Sequence, residues 1–175
     1  MLRVRRQLLY LVRDALFAAI LVVSKEMLAF LPNVEMVTML LMAYTAVYRV
    51  RALVPLYIFV AIQAILYPSV STTLMYLYIW LIPWGIMMLI PRRFCRLPVF
   101  VVVGALFGLT FGVLCSPVQV WYFGIGWQGG IAWILAGLPW DVVHAVGNAA
   151  MAFLAPAVCR VLTMLQKPYT EKPQA

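Results

Sequence analysis

Apolar residues fill the chain in long runs, and polar positions fall between the runs or in small groups near their ends. A membrane-crossing helix needs about 20 mostly apolar residues, each adding roughly 1.5 Å. The pattern predicts six such helices, over residues 8–30, 35–48, 53–67, 73–90, 99–115 and 131–165. The second is short for a span, which predicts a kinked or recessed helix. The last is too long for one straight span. Gly137, Leu138 and Pro139 are expected to break it, with the crossing portion starting near Pro139, a residue suited to a first helical position. From Gln166 the chain is polar and carries two prolines, so residues 166–175 are expected to be a disordered tail. The fold class read from the pattern is an all-α integral membrane protein, one six-helix domain over residues 1–165.

Composition agrees. Hydrophobic residues make up 66% of the 175, and mean hydropathy is +1.02, more apolar surface than a soluble domain can hide. The basic residues then orient the helices. Arg3, Arg5 and Arg6 precede the first run, Arg49 and Arg51 follow the second, Arg92, Arg93 and Arg96 follow the fourth, and Arg160, Lys167 and Lys172 end the chain. The alternate loops 31–34, 68–72 and 116–130 hold no Lys or Arg. This is the positive-inside pattern, and it predicts an even number of crossings with both termini in the cytoplasm of a bacterial-type inner membrane. It also aims the net charge of +8 at anionic headgroups rather than at nucleic acid. The first run resembles a signal peptide superficially. It contains Arg13, Asp14, Lys25 and Glu26, and no small-residue cleavage site follows it, so a retained helix is expected.

Catalytic and cofactor chemistry finds few candidates. Cys95, Cys115 and Cys159 form no CxxC and no metal spacing, and read as small buried residues. There is one histidine, no HExxH, and no GxxxxGK[ST] loop to bind ATP. The chain is therefore read as a non-enzyme with no cofactor or metal of its own, and active transport would need ATPase partners. Two small-residue stripes stand out instead: Gly104, Gly108 and Gly112, read as helix packing within the chain, and Ala15 with Ala19, whose partner is left open.

Ionisable groups inside a membrane are costly, so each is a functional candidate. Lys25 and Glu26 close the first run, Asn33 and Glu35 lie in the next turn, and Thr38 is one helical turn further on. Asp141, His144 and Asn148 share one helical face. By the predicted topology all of these lie in the outer half of the membrane. Gln63, Tyr67, Tyr76, Tyr78, Trp80 and Trp84 fall at the same level, as do Gln119, Trp127 and Gln128 in the outer loop 116–130. Gly124, Gly126, Gly129 and Gly130 would let that loop act as a lid. Together they predict an outward-facing, mostly aromatic cavity with a few fixed polar groups. The charged residues read equally well as ion pairs closing helix ends, and the aromatic ones as an interfacial belt.

Three segments carry a resemblance. Ala15-x-x-x-Ala19, the turn Leu31-Pro32-Asn33-Val34-Glu35 followed by Val37-Thr38, and Gly137-Leu-Pro-Trp-Asp141-Val-Val-His144-Ala-Val-Gly147-Asn148 resemble segments of the S components of energy-coupling-factor (ECF) transporters, and of their cobalamin-type branch in particular. The resemblance covers about residues 13–165. It implies a vitamin-binding subunit that captures its ligand from outside and delivers it through a transmembrane coupling subunit and two ATPases. It implies that Ala15 and Ala19 dock on the coupling subunit. It implies that Asn33, Glu35, Asp141, His144 and Asn148 line or support the ligand site, with cobalamin as the first candidate cargo. The alternative is a membrane scaffold or assembly protein, which would use the small-residue stripes and need no ligand-sized cavity.

Overall fold

In the computed structural model, residues 2–170 are described, and for residues 2, 3, 5, 6 and 167–170 the backbone alone. No strand occurs among them. The helices are α1 (Leu2–Met27), α2 (Val37–Tyr48), α3 (Leu53–Leu66), α4 (Val70–Ile79), α5 (Leu81–Leu89), α6 (Leu97–Leu109), α7 (Phe111–Phe123), α8 (Gly126–Met151) and α9 (Ala155–Thr170). Several follow one another almost end to end. Five stretches result that are long and apolar enough to cross a membrane: Gln7–Met27, Val37–Leu66, Val70–Leu89, Leu97–Phe123 and Gly126–Gln166.

Polar contacts fix the direction of each helix. Asp14 on α1 meets Arg51 just before α3, and Glu26 near the end of α1 meets Gln63 near the end of α3. The two helices therefore run parallel. Tyr44, near the end of α2, also reaches Asp14, so α2 runs opposite to both. Within Val37–Leu66 the chain thus reverses, at Arg49, which takes φ 59°. That positive φ is costly for a side chain as long as arginine's. It is held by a reciprocal pair of caps. The Arg49 guanidinium donates to the carbonyls of Met87, Met88 and Ile90 at the end of α5, and Arg92 donates to the carbonyl of Val47 at the end of α2. Cationic donors suit the exposed carbonyls and negative pole of a helix C-terminus.

α2 is the hub. All of its 12 residues are buried, and it touches α1, α5, α6, α8 and α9. A helix that is apolar all round needs neighbours on every side. The largest helix pairing is α6 against α8, along the glycine stripe.

Four expectations need correction. Pro139 does not break the last run; it lies inside α8, and the interruption is a short 3-10 turn over Ala152–Leu154. Pro156, in the first turn of α9, has no N–H with which to continue the α-helical hydrogen bonding across that turn. The outer loop 116–130 is helical except for Gly124 and Ile125. Gly124 ends α7 in the left-handed conformation at φ 63°, as a helix C-terminal glycine commonly does. The predicted flexible lid is therefore a two-residue turn between helices. Glu35 lies outside α2, which starts at Val37. Finally, the helix runs on past Gln166 to Thr170, where a tail was expected; residues 171–175 lie outside the described part.

Candidate functional site

Residues 28–36 join α1 to α2 without forming a helix, and they shape the site. Leu31, Pro32, Asn33 and Val34 close a turn, with the Val34 N–H donating to the Leu31 carbonyl at 3.2 Å and Asn33 at φ 58°. Proline second and a positive-φ asparagine third is the sequence pattern of a type II turn. The segment then folds down beside α8. A Cβ on Gly147 would stand 3.4 Å from the Asn33 carbonyl and 3.5 Å from Val34 Cα. The backbones of this segment and of α8 thus lie about one methyl group apart at position 147. The descent also explains the shortness of α2: its 12 residues rise only about 18 Å, against about 30 Å for Gln7–Met27.

Behind this segment lies a cavity of about 340 Å³. Lys25, Asn33, Glu35, Tyr67, Tyr76, Phe111 and His144 line it, with the apolar side chains of residues 28–34. A smaller lobe of about 60 Å³ adjoins it, sharing Lys25, Tyr67 and Tyr76 and adding Gln63, Thr72 and Thr73.

The polar groups around the cavity are tied in short networks. Glu35 Oε1 accepts from the Thr38 hydroxyl at 2.9 Å and lies 3.3 Å from His144 Nε2. The imidazole packs against Phe111, ring centroids 4.7 Å apart. It is 3% exposed, and its Nδ1 has no partner among the described residues. Glu26 is engaged on both oxygens, by the Gln63 amide and by the Tyr67 phenol. That bond pushes the Tyr67 phenol's pKa upward, since the carboxylate stabilises the protonated hydroxyl.

Of the residues singled out in the sequence, Asn33, Glu35, Gln63, Tyr67 and His144 line the two lobes, and Thr38 holds Glu35 from behind. Asp141 and Asn148 are buried elsewhere. Asp141 accepts from the Gly112 N–H on both oxygens at 3.1 Å, and the Asn148 amide donates to the Gly104 carbonyl at 3.2 Å. They bind α8 to the glycine stripe, and with it they hold His144 at the cavity. Trp80 is in the core between Phe59, Tyr76 and Phe107, and Trp84 packs against the core one turn further along. Gln119 faces Met75, while Trp127 and Gln128 are exposed at the α7–α8 turn. None of these five residues of the aromatic and amide set (Trp80, Trp84, Gln119, Trp127, Gln128) lines either lobe. Phe111 does, although nothing in its local sequence marks it; only the register of α7 on α8 brings it to His144.

Ala15 and Ala19 are both exposed on the outer face of α1, and Ala18 between them is buried. Comparison with family models, curated proteins and solved structures finds no match to this chain.

Proposed function

We propose that this chain is the substrate-binding subunit of an ATP-driven importer of the ECF type. It crosses a bacterial inner membrane six times with both termini inside, binds a vitamin-sized molecule from outside, and passes it on through a coupling subunit and two ATPases. The carrying observation is the cavity behind residues 28–36. Non-helical backbone at membrane depth is tolerated only where protein buries it or where it lines a cavity. Here the segment lines the cavity, and it brings Asn33 and Glu35 to His144 and Lys25. A cavity of about 340 Å³ falls in the range of small-molecule sites. The six-crossing reading follows the reversal at Arg49, which divides Val37–Leu66 into a descending and an ascending limb. The clustering of arginines at the Arg49–Arg92 end favours that end as cytoplasmic. The scaffold alternative loses its best feature, because the glycine stripe is used up against α8.

Cobalamin remains the first candidate cargo. A corrinoid exceeds the cavity as it stands, so its entry requires residues 28–36 to swing outward. A smaller vitamin needs no such motion.

A thermal-shift screen of the detergent-purified protein against a vitamin panel including cobalamin tests the reading. A ligand selective for the folded state raises the melting temperature by mass action. One vitamin is expected to do so, and His144→Ala is expected to weaken it about tenfold, a loss of one hydrogen bond in a buried site. No shift with any member, in protein shown to be folded, would sink the binding-subunit reading. For docking, Ala15→Trp places a large ring on the exposed face of α1. It is expected to abolish uptake and co-purification with the coupling subunit while leaving the ligand-induced thermal shift unchanged. Loss of the shift as well would remove Ala15 from a docking role.

A further inference from the structure

We infer that the ligand of this cavity carries an anionic group, a carboxylate or a phosphate, and that Lys25 receives it in the smaller lobe. The inference rests on the binding-subunit reading and names the chemistry of the same site.

Lys25 stands apart among the cations of the chain. Among the described side chains, Arg49 and Arg92 cap helix ends at one end of the bundle, and Arg13 and Arg51 belong to the polar node around Asp14. Lys25 sits at the opposite end from these, half-buried, in the wall shared by both lobes. The two nearby carboxylates do not pair with it. Glu26 gives both oxygens to Gln63 and Tyr67, and Glu35 is held by Thr38 and His144. None of the described ion pairs includes Lys25, whose ammonium lies 5.0 Å from the centre of the Tyr67 ring. A half-buried ammonium beside an aromatic face, on which Glu26 acts only through space and without a described hydrogen bond, has donor capacity to spare.

The lobe beside it suits a small charged group. Its volume is about 60 Å³, and Thr72, Thr73, Gln63 and Tyr76 surround it with hydroxyl and amide groups. The Tyr76 hydroxyl makes no hydrogen bond to a described residue and can donate into it. The larger lobe, walled by Phe111 and the apolar side chains of residues 28–34, takes the uncharged body of the molecule. Glu26 opposes an anion electrostatically, but its charge is spread over two accepted hydrogen bonds and faces α3. Glu35 lies across the larger lobe, where it and the unpartnered Nδ1 of His144 can bind the body's polar groups.

The test pairs each probe with a relative lacking the anionic group: nicotinate with nicotinamide, pantothenate with pantothenol, biotin with biotin amide, and cyanocobalamin with cobinamide. Binding is measured by isothermal titration on wild type, Lys25→Met and Lys25→Arg. For the pair that binds, the anionic member is expected to bind about ten- to a hundredfold more tightly than its relative, the strength of a hydrogen bond to a charged group. Lys25→Met should erase that ratio by weakening the anionic member alone, and Lys25→Arg should keep most of it. Which pair responds separates a carboxylate from a phosphate. Equal binding of both members, or a ratio that survives Lys25→Met, overturns the inference and leaves the binding-subunit reading standing. No binding by any probe to folded protein overturns both.

Discussion

Gly108→Ala is expected to destabilise the protein by about 3 kcal/mol, the upper part of the usual range for overpacking. A Cβ at this position would stand 2.6 Å from the Ala145 nitrogen, and 2.7 Å from Ala145 Cα and the His144 carbonyl carbon. All three are backbone atoms of α8, so no side chain can swing aside. The two helices must move apart by about a methyl radius, and α6 against α8 is the largest pairing in the fold. Separation also stretches the bond from the Asn148 amide to the Gly104 carbonyl. Between lipid-exposed helices no hydrophobic force re-closes the gap, because lipid is as apolar as the helix surface. The measurement is thermal or denaturant unfolding in a fixed detergent. Gly85→Ala and Gly137→Ala serve as controls, since an added Cβ there meets nothing within 4 Å. Both should be neutral or slightly stabilising, because alanine is the better helix former. Equal losses at all three glycines would mean that the close α6–α8 contact is not what position 108 supplies. His144 adjoins position 108, so on the binding-subunit reading the protein that still folds should also bind its ligand less well.

The pairing of these two helices shows how much of the site could be read in the sequence. Both stripes were visible as periodic patterns: Gly104, Gly108 and Gly112, which the structure divides between α6 and the start of α7, and Asp141, His144 and Asn148 on α8. Their order runs in opposite directions, as antiparallel helices require, yet nothing in either pattern says that they face one another. The polar stripe was therefore expected at the ligand, whereas Asp141 and Asn148 serve the helix contact and only His144 reaches the cavity. The helices themselves were legible because length and hydropathy suffice to find them. Which face is buried was not. In a soluble helix polar residues mark the outside; here lipid-facing and core-facing positions are both apolar, and Trp80 and Trp127 look alike in sequence although one is core and the other exposed. The breaks misled for a related reason. Pro139 carries the signature of a helix start, but a proline within a membrane helix is tolerated when neighbouring groups re-satisfy the freed carbonyl. The short second run was the most informative local signal, because a helix too short to span implies non-helical chain at depth, and that chain forms the wall of the cavity.

The second large effect is expected at the other end of the bundle, where Asp14→Ala should cost about 3–5 kcal/mol, the range for removing one partner of a buried ion pair. The Asp14 side chain is 2% exposed. Its Oδ1 accepts from Arg13 at 2.6 Å and from the Tyr44 hydroxyl at 2.6 Å, and its Oδ2 from Arg51 at 3.0 Å. One carboxylate thereby joins α1 to α2 and to the turn that starts α3. Tyrosines complete the node: the Arg51 guanidinium lies 4.0 Å from the Tyr10 ring centre, and the Arg13 guanidinium lies 4.0 Å from that of Tyr48. The partners differ in what they lose. The Arg13 side chain is 9% exposed and cannot recover its carboxylate's share from solvent, whereas Arg51, at 41%, is already partly hydrated. The expected order follows from those exposures. Asp14→Ala is worst, Tyr44→Phe costs about 1 kcal/mol as one neutral-donor bond, and Arg51→Met costs no more than an exposed ion pair, within about 1 kcal/mol. A double-mutant cycle between Asp14→Ala and Tyr44→Phe should show coupling, since the phenol has lost its acceptor once the carboxylate is gone. If Arg51→Met proved as damaging as Asp14→Ala, the tie to α3 and not the burial of Arg13 would be the origin of the effect. The same order should appear in uptake only through the amount of folded protein in the membrane. The node lies about three turns along α1 from Lys25, and on the binding-subunit reading the ligand affinity of the molecules that do fold should stay unchanged.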